Sequence, residues 1–201
     1  MYDWRSLTAQ QRIEILRQRK VNRCPWHSPP HTNAGQASYH ISAACYEHAA
    51  YIGLSSKRMS VFEEELLQAA ETVTDRIHAW CILPNHYHLL VSCRELTALA
   101  NAIGQVHGRT SFAWNGEENR RGRRVWYRIS DRMIRSDRHF YATLNYIHNN
   151  PVKHGYVQKW QQWPFSSAAS FLDKVGAAEA ERIWRDYPVL EFGEKWDPPE
   201  V

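Results

Sequence analysis

Residues 77–93 read IHAWCILPNHYHLLVSC. An almost unbroken apolar run over 77–83 stops at Pro84 and Asn85, a turn signal, and HYHLLVSC then resumes an extended pattern. The stretch predicts a β-hairpin. Alternate residues of a strand share a face, so Tyr87, Leu89, Val91 and Cys93 form the better core face. His86 and His88 project together on the other side, with Leu90 and Ser92.

Upstream, YHISAACY (39–46) reads as a first strand. Ser60 and Glu63 match a capping box, and Phe62, Leu66, Ala69, Ala70 and Val73 recur at helical spacing, which predicts a helix over 61–74. Downstream, a helix from about Glu95 to Trp114 carries Leu96, Leu99, Ile103 and Val106, with Gly104 and Gly108 suggesting close packing or a bend. VWYRIS and RMI follow as short extended pieces. A last helix begins near Asp137 with Phe140, Leu144 and Ile147 on one side, and Pro151 predicts its end at or before Asn150. This order points to an α+β fold, a ferredoxin-like arrangement with a mainly antiparallel sheet and helices on one face.

The rest of the chain is organised around that unit. A capping box at Thr8–Gln11 opens a short amphipathic helix in an N-terminal appendage, residues 1–23. Residues 24–36, CPWHSPPHTNAGQ, read as a linker, 37–172 as the main domain, and 173–201 as a tail packed on or near the core.

Of 201 residues, 43% are hydrophobic and 23% charged, and no apolar run approaches the roughly 18 residues of a membrane span, so no membrane partner is expected. The charged start lacks a secretory h-region, and export is not expected. The four cysteines, at 24, 45, 81 and 93, form no CxxC pair, which argues against a disulfide scaffold or a cysteine zinc site and fits a reducing cytoplasm. A formal charge of +4 is mild, but nine Trp and ten Tyr beside arginine clusters suit a surface that grips phosphates and stacks bases.

Taken alone, an HxH pair reads more readily as two half-exposed strand histidines than as half of a divalent metal site. The last helix adds a complement, because Tyr146 and Asn150 are four apart and share a face. A phenol with a pKa near 10 is a poor nucleophile unless the phosphate it attacks is polarised and held in line. Tyr141 and Tyr127 are rival phenols, and a buried aromatic is the plainer reading of Tyr146 by itself.

Three segments, HAWCILPNHYHLLV, LNYIHNNPVKHGYV and WPFSSAASF, resemble the REP-associated tyrosine transposases, relatives of the IS200/IS605 single-tyrosine transposases of the HUH superfamily. The resemblance spans about residues 37–172. It implies an HUH nuclease core that cuts and rejoins single-stranded DNA, with one divalent ion, Mg²⁺ or Mn²⁺. It further implies His86 and His88 as metal ligands, Asn150 as the third, and Tyr146 as the nucleophile that forms a 5′-phosphotyrosine link. Insertion-sequence relatives commonly carry glutamine at the position of Asn150, and the central HUH residue, Tyr87 here, is usually plainly hydrophobic.

The implied partner is single-stranded or hairpin DNA of the REP type, bound by a monomer or a homodimer in the cytoplasm, in association with the nucleoid. Arg120, Arg121, Arg123, Arg124 and Arg128 lie in a basic, aromatic-flanked stretch that is either a solvated loop or a phosphate-tracking edge, and the resemblance favours the latter. Lys153 is a further candidate contact. Two other classes stand beside the enzyme: a domesticated hairpin-binding protein that no longer cleaves, and a metal hydrolase using HxH. An amidohydrolase-type barrel would need about 200 residues or more, typically 250, and strict strand–helix alternation, a pattern this chain does not provide.

Overall fold

The computed structural model describes residues 37–190, together with Thr8, Gln10 and Arg17. Apart from those three positions, the appendage, the 24–36 linker and the chain from 191 onward lie outside the described residues.

Strand β1 (Ala37–Ala44) leads through two short 3-10 turns to α1 (Ser56–Glu71), then β2 (Arg76–Ile82), β3 (His86–Cys93), α2 (Leu96–Glu117), β4 (Ser130–Met133) and α3 (Asp137–Lys153), with α4 (Ala168–Val175) and α5 (Ala177–Asp186) behind. The sheet runs β2-β3-β1-β4, and every pair of neighbours is antiparallel. This βαββαβ order with the first strand inside is the ferredoxin-like arrangement.

Register divides the sheet into two faces. Tyr39, Ile41 and Ala43 sit opposite Val91, Leu89 and Tyr87, and these rings and branches meet Phe62, Leu66 and Ala70 of α1 and Leu99, Ile103 and Val106 of α2. Each such side chain taken fully out of water contributes roughly 1.5–3 kcal/mol, which makes this the larger core. Tyr87 belongs to it: the ring packs against Phe62 and Trp126 and the hydroxyl lies 3.0 Å from His107 Nε2. The opposite face carries a second cluster, in which Ala79, Cys81, Leu83 and Leu90 meet Leu144, Tyr146 and Ile147 of α3. The two crossover helices thus share one face, and the added helix α3 covers the other.

Several boundaries differ from the sequence expectations. Helix α1 starts at Ser56 because Ser55 accepts from the Arg58 amide, while Ser60 lies inside the helix with its hydroxyl on the Ser56 carbonyl. Glu63 holds the Trp80 indole N–H at 2.9 Å instead of closing a capping box. Helix α3 passes through Pro151 to Lys153, and the turn after the proline is carried by His154 N–H to Asn150 O and Tyr156 N–H to Pro151 O. Proline removes one amide donor, the one that would have served the Ile147 carbonyl, and the helix ends within three residues of it. Gly104 and Gly108 are exposed, and a Cβ on either would meet nothing within 4 Å, so neither serves close packing.

The stretch after α3 closes an edge. Ile82 N–H reaches Phe165 O, Ser167 N–H reaches Trp80 O, and Trp163 Nε1–H donates to Ile82 O at 2.8 Å, so residues 163–167 line the outer side of β2. Unpaired strand edges invite aggregation, and this one is covered.

Candidate active site

His86 and His88 lie on the sheet face beneath α3, both nearly inaccessible to solvent, with ring centroids 5.1 Å apart. Helical periodicity brings Tyr146 and Asn150 to the same place. The Tyr146 ring meets His88 edge-on at 5.3 Å, and Asn150 Oδ1 lies 3.0 Å from His86 Nε2. The four residues picked from sequence for metal and nucleophile therefore converge in one chain. The rival phenols lie elsewhere: Tyr141 stacks on Tyr187 at 4.8 Å, and Tyr127 packs against Tyr46 and His48.

Sequence reasoning missed two neighbours. Asn85, read only as a turn residue, donates its Nδ2 hydrogen to His48 O at 3.1 Å and turns Oδ1 toward His86 Nδ1 at 2.6 Å. Its turn is held in place by Gly53, whose N–H reaches Pro84 O and where an added Cβ would overlap the Pro84 ring. His40, on β1, places Nε2 3.1 Å from His88 Nδ1 and its ring 6.0 Å from that of Tyr146. The signal for His40 was its even position in YHISAACY, opposite the Tyr39–Ile41–Ala43 core face, but it gains meaning only once β1 is known to pair with β3.

The donor chemistry can be tested for a cation. A backbone carbonyl only accepts, so the atom of Asn85 facing His48 O is nitrogen and the atom facing His86 is oxygen. Nδ1 of a neutral His86 must then carry the proton, leaving the lone pair on Nε2 aimed at Asn150 Oδ1. That lone pair and the Asn150 carboxamide face each other across 3.0 Å, a nitrogen and an amide group of the kinds that can hold a divalent cation. Asn150 Nδ2 is buried with no hydrogen-bond partner among the described residues, so no other contact fixes which end of the amide faces His86. Among the described residues no three His, Cys, Asp or Glu side chains gather for a metal, and Asn150 adds an amide group beside the histidine pair. The residues present fit a divalent ion.

The cationic residues divide. Lys153 Nζ lies 5.2 Å from the Tyr146 ring centre. Arg123 is committed within the protein, with Nη1 on Glu118 at 2.7 Å, Nε on Asn115 Oδ1 at 2.8 Å and its guanidinium over Tyr51. Arg121 bonds Phe112 O and covers that ring, and Arg124 bonds Trp126 O between Tyr46 and Tyr127. Arg120 and Arg128 are exposed. Arg120, Arg121 and Arg123 line an open cavity of about 650 Å³ with Tyr51.

The family described as "Transposase IS200 like" matches residues 34–150, more than half of the chain, including His40, His86, His88, Tyr146 and Asn150. The chain belongs to the IS200-like transposases. Within that family it is 34% identical over 142 residues to a protein of Haemophilus influenzae named as a REP-associated tyrosine transposase, covering 65% of this chain and 78% of the relative. It is 28% identical over 99 residues to the REP-associated tyrosine transposase of Escherichia coli K12, covering 45% and 53% respectively. A solved REP-associated tyrosine transposase bound to a REP hairpin shares the fold, with a TM-score of 0.58 at 16% identity over 72% of this chain and 84% of that one. Transposases of this family are DNA-cleaving enzymes, and HUH members generally use a divalent metal ion. Among the described residues, no helix of this transposase is long and apolar enough to cross a membrane.

Proposed function

We propose that this transposase is a structure-specific single-strand DNA endonuclease and strand-transferase that acts on REP-type hairpins through Tyr146. One observation carries the reading: a phenol, two imidazoles and a carboxamide oxygen, drawn from a strand and a helix far apart in sequence, meet within one protomer. A REP-type hairpin is the proposed substrate class, supported by the 34% identity to a REP-associated tyrosine transposase and by a solved protein of that name and the same fold bound to such a hairpin.

His86, His88 and Asn150 would hold the ion. When bound, Mg²⁺ or Mn²⁺ supplies positive charge against a non-bridging phosphate oxygen and against the charge that builds in the pentacoordinate transition state. The chain's own residues do the rest. Tyr146, on the rigid helix α3, presents its oxygen to the phosphorus; that oxygen forms a bond to phosphorus as the bond to the 3′-oxygen breaks. The phenol gives up its proton, the departing 3′-oxygen takes one up, and a 5′-phosphotyrosine remains. Attack by another 3′-hydroxyl reverses the exchange and restores the phenol, so no water has to be activated. Lys153 lies beside the Tyr146 ring, where its charge favours the incoming phosphodiester, and exposed Arg120 and Arg128 contribute phosphate contacts further out.

The test is covalent capture. With Mn²⁺ and an oligonucleotide bearing a palindrome and a single-stranded foot, the wild-type chain is expected to form a denaturant-stable adduct. Tyr146→Phe is expected to form none while keeping hairpin affinity within about twofold. An adduct with Tyr146→Phe moves the nucleophile to Tyr141 or Tyr127. Tight hairpin binding with no adduct from the wild type overturns the enzymatic reading in favour of a non-cleaving binding protein.

A further inference from the structure

We infer that His40 is a positioning residue that fixes His88 in the tautomer a metal ligand needs. The inference rests on the assignment of His86, His88 and Asn150 proposed above. His40 and His88 come from adjacent strands: Ser42 is the cross-strand partner of His88 and Leu90 that of His40, so the two imidazoles are diagonal neighbours on the face under α3. Both are buried, their rings are 5.1 Å apart, and His40 Nε2 lies 3.1 Å from His88 Nδ1.

Two nitrogens at that distance share one proton, and its owner decides what His88 can do. If His40 donates, His88 Nδ1 holds the lone pair, its own proton sits on Nε2, and the nitrogen turned away from β1 is closed to a cation. If His88 donates, Nδ1 carries the proton and the lone pair lies on Nε2. Only the second arrangement makes His88 a ligand on the side away from His40. In water the histidine side chain favours the proton on Nε2, so the fold has to select the other form.

The pattern already holds for His86, whose Nδ1 faces the Asn85 oxygen at 2.6 Å. Each histidine of the pair thus has its own acceptor on Nδ1, a shell that commonly sets the orientation and basicity of metal-ligating imidazoles. His40 also contacts the ring of Tyr146 edge-on, so one side chain braces both the ligand and the phenol.

The test compares the intact chain with His40→Gln, whose carbonyl can accept from His88, and His40→Leu, which cannot. Nitrogen-15 NMR of histidine-labelled protein at about pH 8, without metal, reads the tautomers directly. His88 is expected to carry its proton on Nδ1 in the wild type and in His40→Gln, and on Nε2 in His40→Leu, while His86 stays on Nδ1 throughout. Calorimetric Mn²⁺ titration is expected to show binding about 10–100-fold weaker in His40→Leu, with most of the loss recovered in His40→Gln. A wild-type His88 with its proton on Nε2 overturns the inference, and that measurement decides even if His40→Leu does not fold. An unchanged tautomer and unchanged Mn²⁺ affinity in a folded His40→Leu overturns it too. Wild-type Mn²⁺ affinity in His86→Ala would instead overturn the ligand assignment itself.

Discussion

Arg120 and Arg123 stand three positions apart in one basic loop, yet their surroundings give them different roles. Arg123 is held by Glu118, Asn115 and the face of Tyr51, and the Arg123 hydrogen bond holds the Glu118 carboxyl below its ordinary range. Arg123→Ala is therefore expected to lower stability by about 1–2 kcal/mol in urea unfolding, the scale of a broken polar network. Arg120→Ala is expected to leave stability within about 0.5 kcal/mol and to reduce the salt dependence of DNA binding by one charge, about 0.7 in log–log slope on single strands. The reverse pattern would exchange their assignments. At the site itself, His86→Ala should lose Mn²⁺-dependent cleavage, and equal cleavage in excess chelator would remove the metal from the mechanism.

Elements were legible where the signal was local and ambiguous where two local signals competed. The hairpin at 77–93 announced itself through its apolar run and its Pro-Asn turn. The start of α1 did not, because Ser55 and Ser60 both make good caps, and the choice fell to tertiary contacts that gave Glu63 to Trp80. The pairing of residues 163–167 along β2 joins segments more than 80 positions apart and leaves no local mark. The same limit explains the site: Tyr146 and Asn150 follow from helical spacing, whereas His40 requires the register between two strands. Helix α2 yields a prediction at this scale. Its exposed Gly104 and Gly108 have open space where a Cβ would go, so Gly104→Ala and Gly108→Ala should each stabilise by about 0.5–1 kcal/mol in urea unfolding. A loss of stability would mean that these glycines meet something in the working molecule.

On the scale of the molecule, each core contains a histidine kept neutral. His107 stacks on Trp126 in the core under α1 and α2, and His148 lies 2.9 Å from Ser167 behind α3. Burial pushes both down to about 3 from an ordinary value of 6.5. Because the folded values are depressed, the unfolded chain binds these protons first as pH falls. The contribution to stability is therefore intact above about pH 6.5 and is lost progressively between 6.5 and 3, at up to about 1.4 kcal/mol per pH unit for each histidine. Urea midpoints at pH 7.5, 6 and 5 should fall in that order, and a flat series would contradict the buried neutral pair.

The tail behind α3 has a consequence of its own. Asn145 donates from the back of that helix to the carbonyls of Ile183 and Tyr187, Tyr141 stacks on Tyr187, and the front of the helix is seated on the sheet. A phenol bolted down from both sides has little freedom to travel with what it has captured. On the proposed chemistry, the severed end stays parked above the imidazoles and the second end must be delivered to it, so the traffic between cutting and joining belongs to the nucleic acid rather than to the polypeptide.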